Sequence, residues 1–190
     1  MRGDEDGPGK LPMDLPEPDL AAGILAGYRA LLVGSEAHEK NFAGLRESPQ
    51  RLLDFVTSGG RVVIFQLQDS RYQTHYLARP LAPSNDSSAF GDILAPEHPI
   101  FSKPHAINSL AGAISYDTII EADPAWTVLA SDAQGRPSVL DTALGIGSLL
   151  VIQPSVDRYV SGQVAPGGGL RVEACRQFLE NVLEYLKSAR

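Results

Sequence analysis

The segment SPQRLLDFVTSGGRVVIFQLQ, residues 48–68, decides the fold because it contains a complete helix, turn and strand. Ser48 can cap the helix by accepting a backbone N–H, and Pro49 suits the first helical turn. Gly59-Gly60 supplies the left-handed exit that ends the helix. The apolar run 62–65 then predicts a strand buried on both faces of a parallel sheet. One apolar helix face is predicted to pack on that sheet, formed by Leu52, Leu53, Phe55 and Val56.

Two further short apolar runs share the character of 62–65. They are residues 30–33, near the start of the chain, and residues 149–152. We expect all three runs to be neighbours in one mainly parallel sheet with helices on both faces. The fold class predicted is therefore α/β.

The second half of the chain has a different sequence pattern. Segments 117–121, 126–130 and 138–144 predict strands separated by turns, which adds an antiparallel portion to the sheet. Residues 69–105 are rich in Pro and Ser and are expected to be irregular. The chain closes with an amphipathic helix from about Arg171.

Composition limits the function classes. A chain of 190 residues with 43% hydrophobic residues suits one folded domain, predicted over 19–190 after a flexible tail or linker over 1–18. The net charge of -7 argues against nucleic-acid partners, which need clustered Lys and Arg. No apolar run approaches the roughly 18 residues of a membrane span, so no membrane partner is expected. If the chain is complete, the cytoplasm is the default compartment.

Polar residues follow the first two apolar runs. Ser35, Glu36 and His38 come after the first, and Gln66 and Gln68 come after the second. Because the carboxyl ends of neighbouring parallel strands meet at one edge, we expect these five residues to line a crevice that binds a polar ligand. They do not form the G-x-S-x-G turn of a serine hydrolase, so no catalytic residue is predicted.

Other candidate sites have simpler interpretations. Glu97, His98 and His105 could ligate zinc, but their spacing matches no common zinc motif, so no metal is predicted. Gly145-Ile146-Gly147 lacks the third glycine of a dinucleotide fingerprint and predicts a hairpin turn, so no cofactor is predicted either.

Two single residues have both a structural and a functional interpretation. Cys175, the only cysteine, lies on the apolar stripe of the last helix and is expected to be buried and slow to react with thiol reagents. Trp126 is expected in the core, with a sugar-stacking platform as the alternative.

The order of these elements resembles the class I glutamine amidotransferase-like superfamily. The motifs are the helix with Gly59-Gly60, the strand that follows it, His98-Pro99-Ile100-Phe101, 126–129 and 145–152. The similarity spans 28–188 and is closest to branches without transferase activity, the ThuA-like proteins and the trimerisation domains of bacterial β-galactosidases. It implies a flavodoxin-like three-layer fold.

The same resemblance implies where chemistry would occur. Active members carry a Cys nucleophile on the turn after a central strand, with a His and a Glu from the C-terminal part. Here that turn corresponds to Gln66-Leu67-Gln68, and no His follows His105. Release of ammonia from glutamine is therefore not expected. ThuA-like relatives often carry a His near this turn and are linked to carbohydrate metabolism, whereas this chain has Phe65-Gln66 there.

These observations lead to a prediction of function with an open alternative. The prediction is a non-catalytic binding or assembly domain whose partner is a protein, or other domains of a longer chain, in carbohydrate processing. The alternative is an enzyme or sugar-binding domain that acts on a small polar ligand, such as a carbohydrate, through the strand-end crevice.

Overall fold

The computed structural model describes residues 24–35, 49–67, 77, 79–163 and 172–188. A 3-10 turn, Ile24–Gly27, precedes the first strand. The strands within this part of the chain are β1 Ala30–Val33, β2 Arg61–Phe65, β3 Leu81–Ser84, β4 Ser88–Ile93, β5 Ile114–Ser115, β6 Thr118–Ala122, β7 Thr127–Asp132, β8 Pro137–Leu144 and β9 Gly147–Ile152. The helices are α1 Pro49–Thr57, α2 Pro99–Ser102, α3 Val156–Val160 and α4 Val172–Lys187.

A seven-stranded sheet runs in the order β1-β2-β9-β8-β7-β4-β5, and β3 pairs with β6 in a separate two-stranded sheet. The pairings β1–β2 and β2–β9 are parallel, which confirms that the three apolar runs are neighbours. The remaining pairings of the large sheet are antiparallel. The sheet is therefore mixed, and its antiparallel pairings outnumber its parallel pairings. The prediction of a mainly parallel sheet is wrong in this respect.

Helices cover both faces of the parallel strands. Val62 and Ile64 of β2 pack in one cluster with α1, whereas Val63 and Phe65 pack in the other cluster with α4. Side chains of a strand alternate between faces, so an all-apolar strand needs such cover on both sides. The contributing buried residues are Leu52, Phe55 and Val56 of α1 and Cys175, Phe178 and Val182 of α4.

The turn between β8 and β9 confirms the predicted hairpin at 145–147. Leu144 pairs with Gly147, and Gly145 has a φ of +61°, which favours glycine. A Cβ on Gly147 would lie 2.1 Å from the carbonyl oxygen of Val56 and 2.2 Å from that of Gly60. The hairpin glycines therefore allow close backbone packing against the end of α1 rather than dinucleotide binding.

The segment predicted to be irregular contains ordered elements, so the prediction for 69–105 is wrong over β3, β4 and α2. In β3 the register shifts at Pro83, where proline is tolerated because the strand is short and bulged. In β4 a Cβ on Gly91 would lie 2.3 Å from the Asp132 carbonyl oxygen, so glycine permits close approach of the neighbouring strand. Proline and glycine here mark strand irregularities rather than a loop.

Asn181 of α4 fixes the chain that follows α2. Its Oδ1 accepts the backbone N–H of His105 at 2.9 Å, and its Nδ2 donates to the carbonyl oxygens of His105 at 2.8 Å and Ile100 at 3.0 Å. The side chain is fully buried. A buried amide with three bonds holds α2 and its flanking residues in place on α4.

The predicted tail over 1–18 lies outside the described residues. Among the helices that are described, none combines the length and the apolarity needed to cross a lipid bilayer.

Candidate functional site

The carboxyl ends of the three parallel strands lie side by side. Val33 pairs with Ile64, and Phe65 pairs with Ile152, so the residues that follow β1, β2 and β9 meet at one edge. We call the polar group there the Gln66 cluster. It consists of Ser35, Gln66, Gln153, Ser155 and Asp157, each with a side-chain hydrogen bond to another residue.

Gln66 stands at a strained turn directly after β2. Among the described non-glycine residues it alone has a positive φ, at 49°. Its N–H donates to the carbonyl oxygen of Ile152 at 2.7 Å, and its Oε1 accepts from the Ser155 hydroxyl at 2.5 Å. A left-handed conformation is costly for a residue with a Cβ, and such turns occur often at functional sites. This is the turn where the superfamily resemblance expects the Cys nucleophile.

Ser35 binds the beginning of α3. Its N–H donates to Asp157 Oδ2 at 2.9 Å, and its hydroxyl donates to Oδ1 at 2.7 Å. Because Ser155 and Asp157 belong to one short segment, Ser35 and Gln66 are both held by that segment. The structure thus brings two of the predicted site residues to the same edge, although each bonds a different partner.

Gln153 is the most enclosed member of the cluster. It is fully buried; its Oε1 accepts the Leu67 N–H at 2.7 Å. Its Nε2 donates to the carbonyl oxygens of Leu67 at 3.0 Å and Asp117 at 2.8 Å. Gln153 and Ser155 were missed by the sequence analysis. The signal that could have found Gln153 is the one that found Gln66, a polar residue directly after an apolar strand, and Ser155 follows two residues later.

The remaining predicted site residues, Glu36, His38 and Gln68, lie outside the described residues. Within the described part of the cluster, the groups are amides, hydroxyls and one carboxylate. Such groups orient a ligand by hydrogen bonding, but a hydroxyl needs a base such as imidazole to become a nucleophile. The described groups of the cluster can therefore orient a ligand by hydrogen bonding.

The two histidines considered for zinc have separate partners. His98 Nε2 lies 3.7 Å from Asp141 Oδ2, whereas His105 Nε2 lies 2.6 Å from Glu180 Oε2. No group of three or more His, Cys, Asp or Glu side chains that could hold a metal is found in the described ranges. Each histidine therefore faces a different carboxylate, and the two imidazoles do not share a partner.

Cys175 and Trp126 are both buried. Burial raises the pKa of the Cys175 thiol to about 11, which leaves little of the reactive thiolate at neutral pH. The thiol is on α4, packed in the core rather than at the strand-end edge. Trp126 is 6% exposed and packs in the core on the α1 face, so its ring is not an open platform for a sugar.

Comparison with known proteins finds similarity in structure alone. No protein-family model matches the chain, and no curated protein matches it. A cytoplasmic protein from Salmonella typhimurium LT2 aligns with a TM-score of 0.58 at 18% identity, covering 90% of this chain and 76% of that protein. A ThuA-like protein from Bacteroides uniformis ATCC 8492 aligns with a TM-score of 0.51 at 12% identity, covering 86% and 71%.

A β-galactosidase from Rahnella sp. R3 also aligns, with a TM-score of 0.53 at 13% identity. The alignment covers 90% of this chain but 24% of the enzyme, so the chain corresponds to about a quarter of that protein's length. At such identities the similarity shows the fold. The structural neighbours thus include a ThuA-like protein and one segment of a glycosidase.

Proposed function

We propose that this chain is a non-catalytic binding or assembly domain with the flavodoxin-like, three-layer architecture of amidotransferase-like proteins. Its partner is a carbohydrate-processing protein or another domain of a longer chain. The observation that carries the proposal is Gln66, a buried amide on the left-handed turn where an active relative would have its thiol. An amide cannot form the covalent intermediate of amide hydrolysis.

The bonds around Gln66 support the proposal. Its Oε1 already accepts from Ser155, and the hydroxyl and N–H of Ser35 already donate to Asp157. These groups stabilise the strand-end turns and α3 against one another. The carbohydrate connection rests on structural neighbours such as the β-galactosidase segment, whose alignment covers most of this chain and a minor part of the enzyme.

The direct test is ammonia release from glutamine by the purified chain, alone and with its partner protein. We expect no turnover above background. A Cys175→Ala variant should behave like the wild type, because that thiol is sealed in the core. Turnover that disappears in Ser35→Ala or His38→Ala would contradict the proposal and identify the chain as a divergent enzyme.

A second experiment asks whether the turn retains an activating base. In a Cys175→Ala background, Gln66→Cys introduces one thiol at the strand-end turn, and its alkylation rate by iodoacetamide is followed against pH. Because Gln66 is buried, we expect slow alkylation with a midpoint at or above the value of about 8.5 for a free thiol. A thiolate that reacts fully well below neutral pH would reveal a retained base and contradict a non-catalytic role.

The alternative is a sugar-binding domain or enzyme that uses the same edge. One observation favours it: Ser35, two residues after β1 and next to Glu36 in sequence, lies at the edge where open α/β sheets bind ligands. Loss of sugar binding in Ser35→Ala, with the fold unchanged, would support this alternative. The oligomeric state measured by light scattering is the matching test of assembly.

A further inference from the structure

β1 is an outer strand of the seven-stranded sheet, since among the described strands it pairs with β2 alone. The Arg61 N–H donates to the carbonyl oxygen of Arg29 at 3.0 Å, which fixes the residues that face β2. In a parallel ladder a residue directs its backbone groups to one neighbouring strand and the next residue directs them to the other side. The N–H and carbonyl groups of Ala30, Leu32 and Gly34 therefore point away from the sheet.

The side chains of β1 do not protect this edge from pairing with another strand. Outer strands are commonly protected by charged side chains, by proline or by a very short length. The sequence of β1 is Ala-Leu-Leu-Val, which contains neither a charge nor a proline. Leu32 is 42% exposed, and Tyr28, just before the strand, is 57% exposed. The outer strand at the other side of the sheet, Ile114–Ser115, is by contrast protected by its shortness.

The two ends of this edge carry opposite charges. Arg29 is exposed and directly precedes β1. At the other end, the N–H and hydroxyl of Ser35 donate to the two carboxylate oxygens of Asp157, which is half-buried. Carboxylate oxygens have about four lone-pair sites, so a carboxylate that accepts two bonds still attracts a cation. An edge with a cation at its start and a carboxylate at its end is complementary to an antiparallel copy of itself.

We propose that β1 pairs antiparallel with β1 of a second copy of this chain, about a two-fold axis at Leu32, so that the two sheets become one. Leu32 then lies opposite Leu32 of the second copy, and the two residues exchange both backbone hydrogen bonds. Ala30 lies opposite Gly34 of the second copy in the same way. The pairing gives partners to the outward backbone groups of the edge and covers its exposed leucine. The contact closes at two copies, because the two-fold axis makes both contributions identical.

The charges at the two ends select this register. With the axis at Leu32, Arg29 lies opposite Ser35 of the second copy and therefore near the carboxylate that Ser35 binds. An axis one residue earlier would place Arg29 opposite Val33 of the second copy, which offers no charge. The pairing rests on the assembly part of the proposed function and names a second copy as one partner. Its failure would leave the non-catalytic role, which the ammonia assay tests, unchanged.

The first test is sedimentation equilibrium of the full chain over a range of micromolar concentrations. We expect a reversible equilibrium between monomer and dimer. Leu32→Lys places like charges opposite each other across the axis and should weaken the dimer about tenfold or more. The matched control is Ile120→Lys, at a 58% exposed position of β6, which should associate as the wild type does. Circular dichroism verifies that both variants fold.

Two further variants test the register. In a Cys175→Ala background, Leu32→Cys brings two thiols together at the axis, where the Cα atoms of a hydrogen-bonded pair lie about 5.5 Å apart, within the range of a disulfide. Mild oxidation should give a covalent dimer, whereas Ile120→Cys in the same background should stay monomeric on a denaturing gel.

The charged ends are tested by Arg29→Ala, which removes the cation from both copies. We expect the dissociation constant of the dimer to rise about threefold or more and to depend less on the salt concentration than in the wild type. The control is Arg176→Ala, an exposed cation of α4 that pairs with Glu173 of its own helix and should leave the dimer unchanged.

A chain that stays monomeric at every concentration overturns the proposal. If its Leu32→Cys thiol then reacts slowly with iodoacetamide, the chain covers this edge itself, and if it reacts rapidly, the edge is open to a different protein. A dimer that neither Leu32→Lys nor Arg29→Ala weakens, or that gives no cross-link in Leu32→Cys, also overturns the pairing. If Leu32→Lys fails to fold, the cross-link and Arg29→Ala decide.

Discussion

A second polar cluster lies at the opposite end of β2 and β9 from the Gln66 cluster. We call it the Asp141 cluster, and it consists of Arg61, His98, Asp141, Ser148 and Tyr185. In the Gln66 cluster the side chains bond to one another and to nearby backbone. In the Asp141 cluster a buried oxygen has no partner among the described residues. The general rule for α/β sheets points to the first end as the ligand site. Hydrogen-bond satisfaction differs between the two ends, because Asp141 Oδ1 is enclosed yet makes no close hydrogen bond among the described residues. Strand-end position alone therefore does not determine how completely a polar cluster is bonded.

The largest expected effect tests whether the Gln66 cluster is a closed network. Gln153→Leu removes three bonds and leaves the Leu67 N–H and the carbonyl oxygens of Leu67 and Asp117 without this partner. Because each buried group left unpaired costs about 1–3 kcal/mol, we expect the free energy of unfolding to fall by about 3 kcal/mol or more. Urea unfolding measures this fall in the free energy of unfolding.

The control is Gln163→Leu, at an exposed position, where the change should stay within about 0.5 kcal/mol. If Gln153→Leu costs no more than this control, water replaces the lost bonds and the cluster is open rather than closed. The comparison between the two ends of the strands would then fail.

The next prediction concerns Cys175, which is buried in the core and belongs to neither polar cluster. Burial raises its pKa from 9.0 to about 11 in the folded protein. The unfolded thiol ionises first as pH rises, so the stabilising effect of the neutral thiol is present below pH 9 and is lost as pH passes about 11. Raising the pH to about 11 should cost the wild type about 2 kcal/mol more than Cys175→Ala.

That experiment compares how the free energy of unfolding of each protein changes with pH. The constant loss of stability that the cavity in Cys175→Ala causes therefore cancels. Equal pH dependence in the two proteins would show that the thiol is not sealed. Rapid labelling of the folded wild type by a thiol reagent would lead to the same conclusion.

A smaller effect isolates the strain at Gln66. Both Gln66→Ala and Gln66→Gly lose the bond to Ser155, but alanine keeps the unfavourable left-handed backbone and glycine relieves it. We expect the glycine variant to be more stable by about 1 kcal/mol in thermal or urea unfolding. At Arg176, exposed in the middle of α4, alanine should instead be the better of the two by about 1 kcal/mol. The same order at both positions would remove the argument for a strained turn.

The sequence predicts the parallel half of the sheet well. Ala30–Val33 and Pro49–Thr57 have the bounds expected from apolar runs and turn residues, because burial on both faces leaves a strong pattern. β3 and β4 were missed because the Pro- and Ser-rich composition of 69–105 was interpreted as irregular structure, whereas Pro83 and Gly91 lie within strands. Their roles as a bulge and a close approach depend on the neighbouring strands, which local sequence does not specify.

The sites were only partly predictable. Strand ends pointed to Ser35 and Gln66, but their bonds to Asp157 and Ser155 join residues more than eighty positions apart. The Asp141 cluster draws on two helical segments and three strands, and no local motif marks it. Such contacts follow from packing and could not be read from spacing.

The smallest expected effect completes the comparison at Asp141. If its Oδ1 has no partner to lose, Asp141→Asn should change the free energy of unfolding by about 0.5 kcal/mol or less, in contrast to Gln153→Leu. The pKa of Tyr185 should fall in the same variant, because the carboxylate is one of the causes that raise it after desolvation. Ultraviolet titration of tyrosinate measures that fall, with Tyr185→Phe identifying the signal. A loss of stability as large as that of Gln153→Leu would mean that Asp141 belongs to a closed network of its own, and the difference between the two ends of the strands would disappear.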